Sequence, residues 1–594
     1  MTLTRTPPDD VLAAPPDETR ARRERSIGPA GLLLAASAVA LAILSLLGLI
    51  VVVAFNTNGI RGTATWTNFH DLFQSSFAVQ SIGNTLIYMA VATVTSVLIG
   101  VPAAWIIERT DLPGKSMVHA FFVVGMLIPG FFVAMGWLIM FHPHVGLVNE
   151  LFASVFHTKS GPFNVVTIPG MGFVQGLSLA PVVFAMTSAT FKTMDQSLEE
   201  AARTAGGTFL QQMRRVTLPL SWPSILAATL YVAIIAFGAF DIPAIIGLSA
   251  RKFTFSTFLF YNVNPQAGFP RYGLVAAFST FMIVIGGFLS WSYSRVLRRA
   301  NQYRVITGKN YKPSVVALGR WTWGAWAFLG SYILIATVMP LLGVLWSALS
   351  PQQQPLSVSA LSSINLDNLT QLPWPLVRSA LLHTVIIMLA VPTLTLIWST
   401  VFSWITVRSK YRFRAVFDYV AFVPHAVPSL ILGMGAFLFS LFVLPKSWGL
   451  YGSLLLLVVL MSLVAVSFGS RMTNSALMQI HPELEEAAAV SGASLLTTFR
   501  RVLAPLLRPT FQNAWLWLAV LSFRDLTVPL IMFSRDNMTL SVTVWNLWSG
   551  GNPGQAAMIT VLMLIVVSPL ALLYLRLSRG NPSPQVGAQV GKEG

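Results

Sequence analysis

Twelve apolar stretches, each long enough to cross a bilayer, constrain this 594-residue chain more than any other feature. A helix of about 20 predominantly apolar residues spans the hydrocarbon core. Runs of that kind are read at roughly 29–55, 84–107, 117–141, 171–191, 222–247, 272–297, 321–348, 381–407, 415–444, 450–475, 510–533 and 556–577. Hydrophobic residues make up 55% of the chain and charged residues only 10%, with a mean hydropathy of +0.69. A soluble chain of this length needs far more polar surface, so lipid must cover much of it. The runs are continuous rather than alternating, which excludes a transmembrane barrel. The expected class is an all-α polytopic membrane protein with about 12 transmembrane helices.

Lysine and arginine fix the orientation. With the N-terminus inside, 29 of the 38 basic residues fall in inward segments or at inward ends of spans, as the positive-inside rule requires. The net charge of +17 therefore follows topology, and Arg295, Arg298 and Arg299 read as a solvated inward run; no basic patch points to nucleic acid. Residues 1–28 are rich in Pro, Asp and Arg and read as a disordered cytoplasmic tail ahead of a retained first helix. Both termini are expected in the cytoplasm. Cysteine is absent, which removes disulfides, thiolate metal sites and cysteine nucleophiles.

The chain repeats itself. Asn84-Thr85, Arg109, Pro129 and Gly136 align with His383-Thr384, Arg408, Pro428 and Gly435 at an offset of 299. Glu200, Gly206, Pro219, Phe237 and Pro243 align with Glu486, Gly492, Pro505, Phe523 and Pro529 at an offset of 286. The change of offset assigns 13 extra residues to the first half, most naturally in the outward loop 142–170. Six spans separate equivalent points, so the halves share one orientation and the expected pseudo-twofold axis runs along the membrane normal. The expected division is a tail at 1–28, a first unit at 29–300, a cytoplasmic linker at 301–320, a second unit at 321–580 and a tail at 581–594. The path for a solute is expected between the units.

Two cytoplasmic loops, 192–221 and 478–508, carry the most specific part of the repeat. The first holds Glu200-Ala201-Ala202, Gly206 and Leu218-Pro219; the second holds Glu486-Ala487-Ala488, Gly492 and Ala504-Pro505. Each predicts two short helices that meet at a glycine bend, the second stopping before proline. This pattern resembles the Glu-Ala-Ala loop of ABC importer permeases, and two copies in register cover essentially the whole chain beyond the tail. The second copy departs mildly, with Ala504 where leucine is usual. The resemblance implies a duplicated type I ABC importer permease, in which Thr208–Met213 and Ser494–Phe499 dock on the ATPase. It also implies that Glu200 and Glu486 hold the loop or pair with a basic residue of that partner.

What the resemblance implies further is a multi-pass protein of the bacterial inner membrane, surrounded by lipid. Its partners would be two copies of a cytoplasmic ATPase, which carry ATP and Mg, and a periplasmic or lipid-anchored solute-binding protein. The chain itself is expected to be no enzyme and to bind no cofactor: Gly114-Lys115-Ser116 lacks the upstream glycine of a phosphate-binding loop. Fused permeases of this kind are similar to the ferric-iron group, to which GAFDIPAIIG (238–247) and RKFTFSTFLFYN (251–262) also point. Permeases for polyamine, phosphonate or thiamine are the alternatives. A secondary transporter of 12 helices shares the symmetry, yet it leaves the duplicated loops unexplained and expects intramembrane charges, which are nearly absent here. His142 and His144 flank Pro143 without a third ligand, so no metal site is expected. Candidate path residues are His425, between Pro424 and Pro428, and Asp241 and Asp525, expected near the outer ends of the fifth and eleventh spans.

Overall fold

The structure is a computed structural model that describes residues 29–57, 59–194, 197–263, 270–300, 315–351, 354 and 358–580. The tails 1–28 and 581–594 and most of the linker 301–320 lie outside the described residues. The described chain is helical, with two isolated β-bridges and no strand.

The first half contains α1 (Pro29–Ala54), α2 (Ser76–Arg109), α3 (Lys115–Gly125), α4 (Gly130–Phe141), α5 (Ile168–Thr193), α6 (Ser197–Thr204), α7 (Phe209–Gly238) and α8 (Tyr272–Ala300). The second repeats the series as α9 (Gly319–Leu349), α10 (Trp374–Arg408), α11 (Arg414–Ala426), α12 (Ser429–Phe442), α13 (Leu454–Gln479), α14 (Glu483–Val490), α15 (Ala504–Arg524) and α16 (Pro553–Gly580). Among the described residues, nine helices are long and apolar enough to cross a membrane: α1, α2, α5, α7, α8, α9, α10, α13 and α16.

The other three expected spans differ in instructive ways. Runs 117–141 and 415–444 are each broken, α3 and α4 meeting at 101° and α11 and α12 at 103°; counting each pair as one span raises the total to 11. Proline is the cause. Pro129 and Pro428 cannot donate to a helix ladder and both take extended backbone, with ψ of 140° and 134°. The run 510–533 forms α15, whose Arg508, Gln512, Asn513 and Arg524 dilute its apolar character, and the helix ends at Arg524. Likewise α7 ends at Gly238 rather than 247, because the chain turns back into short segments led by Pro243 and Thr527–Ile531.

Other prolines are accommodated without a break. A widened five-residue turn precedes Pro219, Pro340 and Pro505, in which the N–H groups of Leu218, Met339 and Ala504 reach back to the carbonyls of Met213, Leu334 and Phe499. Proline crowds the carbonyl four residues before it, and a π turn relieves that conflict while the helix continues.

The halves are interlocked. Helix α1 packs on α8 of its own half and on α12 of the other, while α9 packs on α16 and on α4. The repeated glycines mark these crossings. A Cβ on Gly136 would fall 2.6 Å from Pro340 Cα, and one on Gly435 would fall 3.0 Å from the Leu46 carbonyl carbon. Only glycine permits such backbone approach.

The repeat is equally visible in hydrogen bonds. Thr85 and Thr384 accept from the backbone N–H of Phe255 (2.7 Å) and Leu540 (2.9 Å), and Asn84 and His383 reach the carbonyls of Phe253 and Met538. Ser256 and Ser541 then donate to the carbonyls of Ala239 and Asp525, both at 2.6 Å. Each long second helix thus holds the segment that returns from the end of α7 or α15.

Candidate functional site

Loop helix α6 begins with Glu199 and Glu200 in its first turn, and α14 with Glu483, Glu485 and Glu486. Both helices stop at a glycine in the left-handed region, Gly206 (φ +80°) and Gly492 (φ +77°). The next N–H groups, of Gly207 and Ala493, close back on the carbonyls of Ala202 and Ala488 at 3.0 Å. A capping box follows in the first loop: Thr208 Oγ1 accepts from Gln211 N–H, and Gln211 Oε1 accepts from Thr208 N–H. Ser494 caps the second in the same way, accepting from Thr497 N–H.

The expected second short helix is not separate. Thr208–Met213 is the entry to α7, which runs unbroken through Pro219, and Ser494–Phe499 leads through Pro505 into α15. The free-standing helix of each loop is the one that precedes the glycine. It is strongly exposed: Glu200, Ala201, Glu486 and Ala487 face solvent, with Ala202 and Ala488 half-buried. Large apolar side chains stand out around it, among them Phe209, Leu210, Leu484, Leu496 and Val490, the last 90% exposed.

Sequence reasoning passed over the neighbouring glutamates. Glu199, one residue before Glu200, is buried and paired with Arg109; Glu485 is paired with Arg408 at 2.7 Å. The signal was there, because both loops read Leu-Glu-Glu-Ala-Ala and both arginines belong to the repeat.

The second candidate region is the crossing of the halves. Gly238, at the end of α7, faces the break of the second half, where its Cβ would lie 2.8 Å from Pro428 Cβ. Arg524, the equivalent residue of α15, faces the break of the first half and donates to the Ile128 carbonyl. Asp241 and Asp525 meet here around Thr527: its hydroxyl donates to Asp241 (3.3 Å) and its N–H to Asp525 (2.9 Å). Gly130 lies against Asp241, its Cβ position 2.8 Å from Oδ2. The 11 residues of α3 rise about 16 Å, half the hydrocarbon thickness, so this crossing sits at mid-depth rather than at the outer interface expected for the two aspartates.

His425 has other neighbours. It stacks on Tyr231 (centroids 5.1 Å apart, 21° between planes) and touches Tyr293 and Phe422. His142 Nδ1 accepts from the N–H groups of His144 and Val145 at 3.2 and 3.3 Å, which occupies the nitrogen a metal would need. Among the described residues no group of three or more His, Cys, Asp or Glu is placed to hold a metal ion.

Comparison with known proteins adds an independent line. The family described as binding-protein-dependent transport system inner membrane component matches this chain twice, over residues 97–302 and 397–580. The ferric transport system permease protein FbpB of Actinobacillus pleuropneumoniae is 21% identical over 84% of this chain and 71% of its own length. The Fe(3+)-transport system permease protein FbpB 2 of Haemophilus influenzae is 23% identical over 85% of this chain and 91% of its own. A solved chain of a bacterial ABC transporter that imports the acidic polysaccharide alginate covers 45% of this chain and 98% of its own, at 16% identity and a TM-score of 0.32.

Proposed function

This chain belongs to the binding-protein-dependent transport system inner membrane components, two units of which are fused in it, and from that premise we propose that it carries ferric iron inward across a bacterial inner membrane. As an importer permease it provides the membrane path. Hydrolysis of ATP, with Mg, takes place on two copies of a separate ATPase, and a periplasmic or lipid-anchored binding protein delivers the solute. No cofactor is required on the chain itself.

The observation that carries the iron reading is coverage. Two relatives named as ferric-iron permeases align with about 85% of this chain, both halves included. The crossing is consistent with a cationic cargo. Two carboxylates, Asp241 and Asp525, face one guanidinium, Arg524, at the place where the halves meet. That balance favours iron, with polyamine or thiamine as the alternatives, over an anionic phosphonate.

The ATPase contacts are assigned to Glu200, Ala201, Ala202 and Gly206 in one half and to Glu486, Ala487, Ala488 and Gly492 in the other. Exposed apolar side chains rimmed by charge suit a protein partner. Helices α6 and α14 are the docking elements, and Pro219 and Pro505 mark where each loop passes into its spanning helix. Closure of the two ATPases drives both helices together, and the crossing opens alternately to either side.

The test is uptake of radiolabelled ferric iron by cells with and without this chain, beside labelled putrescine, thiamine and a phosphonate. Iron uptake lost with the chain supports the reading. Unchanged iron uptake with loss of another solute replaces iron and leaves the permease role intact.

A further inference from the structure

Arg109 and Arg408 are the last residues of α2 and α10, and each meets the loop helix of its own half. Arg109 Nη2 donates to Glu199 Oε2, while the Glu199 Oε1 atom accepts from the Thr217 hydroxyl at 2.7 Å. These arginine and glutamate side chains are only 2% and 6% exposed. In the second half Arg408 Nε lies 2.7 Å from Glu485 Oε1, and Arg408 Nη2 donates to the carbonyls of Leu477 (3.0 Å) and Ile480 (2.6 Å) at the end of α13. The exposed loop helices are therefore not loosely tethered. Each is fixed by a charge-assisted contact to the inner end of a spanning helix more than 30 residues long.

What those spanning helices reach at their far ends matters equally. Helix α2 carries Thr85, which accepts from Phe255 N–H, and the adjoining Ser256 donates to Ala239, two residues from Asp241 at the crossing. Helix α10 carries Thr384, which accepts from Leu540 N–H, and Ser541 donates to the carbonyl of Asp525 itself. An unbroken chain of contacts thus runs from each loop helix, through one Arg–Glu pair and one rigid helix, to the aspartates between the halves. It is present twice.

Building on the assignment of α6 and α14 as ATPase-docking helices, we propose that Arg109 and Arg408 are positioning residues for transport. Each holds its loop helix, through Glu199 or Glu485, so that displacement of the loop by the ATPase becomes displacement of α2 or α10 and so of the crossing. Separating either pair would leave a charge buried without its partner, so the loop helix and the spanning helix move as one body. Contact alone does not establish coupling, which needs an element whose equilibrium both ends bias. The experiment therefore reads movement.

The chain has no cysteine, so cysteines placed at the exposed outward positions Val145 and Val443 take spin labels alone. The distance between the labels is measured in the full chain assembled with its ATPase, with and without ATP and vanadate. ATPase capture and hydrolysis are recorded in parallel. In the unmodified background the distance shifts on nucleotide binding. Arg408→Ala and Glu485→Gln should each abolish that shift while the ATPase is still captured and still hydrolyses ATP. The exchange Arg408→Glu with Glu485→Arg should restore it, which a merely structural role would not predict. The same shift in both single variants as in the background, or no shift in a background that does capture the ATPase, overturns the proposal. A background that captures no ATPase overturns instead the docking assignment on which it rests. Glu485→Gln preserves shape and keeps the test decisive should Arg408→Ala fail to accumulate.

Discussion

Arg524, the last residue of α15, donates from its guanidinium to the carbonyl oxygen of Ile128, 396 residues earlier, where the first half's third span breaks. A broken helix at mid-membrane frees carbonyls that no water can satisfy, and here the opposite half supplies the donor. The symmetric position has no such group: Gly238 meets Pro428 by close packing instead. The two halves are therefore held at the crossing by unlike contacts, one polar and one apolar.

Replacing Arg524 by methionine removes that donor while keeping much of the bulk. The buried carbonyl of Ile128 is left unpaired, and the expected loss of stability is about 1–3 kcal/mol. Thermal unfolding of the detergent-solubilised chain, with Gly238→Ala as the comparison on the apolar side, checks it.

Gly206 and Gly492 hold positive φ, and nothing lies within 4 Å of a Cβ built on either. Any cost of substitution is therefore backbone strain alone, about 1–2 kcal/mol for alanine in the left-handed region. Gly206→Ala and Gly492→Ala should accumulate normally and lower uptake. Gly206→Pro and Gly492→Pro, whose ring fixes φ near −65°, should uncouple ATP hydrolysis from transport. Unchanged uptake in both proline variants would contradict the loop assignment.

The duplicated Arg–Glu pairs differ in burial, and their variants should differ accordingly. Arg109→Ala strands Glu199 in a closed site, where breaking such a pair costs about 3–5 kcal/mol. Arg408 and Glu485 are 11% and 19% exposed, so water relieves part of the loss. Membrane accumulation should fall more for Arg109→Ala than for Arg408→Ala, as read by quantitative immunoblot.

Much of this was legible in the sequence. The repeat offsets of 299 and 286 identified residues whose reasons became visible in space: Gly136 and Gly435 at helix crossings, Thr85 and Thr384 as acceptors for the returning segments. The bends were not legible, because a proline within an apolar run does not lower its hydropathy and leaves open whether the helix kinks, continues over a π turn or breaks. Pro129 breaks its run, whereas Pro219 and Pro340 do not. The choice between Glu199 and Glu200 was equally hidden, since adjacent residues on a helix point about 100° apart and only the position of Arg109 decides which is buried. The meeting of Asp241 with Asp525 depends on how the halves cross, which no local pattern records.

The outward loop should respond to acid. Burial, with the neighbouring His144, holds the His142 imidazole below its ordinary pKa, and its Nδ1 accepts two backbone N–H bonds that protonation would remove. A histidine depressed in the folded state contributes stability above the unfolded pKa of about 6.5, and that contribution fades as pH falls below it. Hydrogen exchange at the amides of His144 and Val145 should accelerate between pH 7 and pH 5 beyond the intrinsic trend. His142→Ala should remove the pH dependence.

The central claim is that one chain presents two equivalent docking helices to a separate ATPase. The mass of the complex purified from native membranes through a tag on this chain tests it directly. The account predicts one copy of this chain with two copies of an ATP-binding subunit, reduced when α6 or α14 is altered at Glu200 or Glu486. A chain that purifies without any ATPase, at full transport activity in the cells it came from, would contradict it.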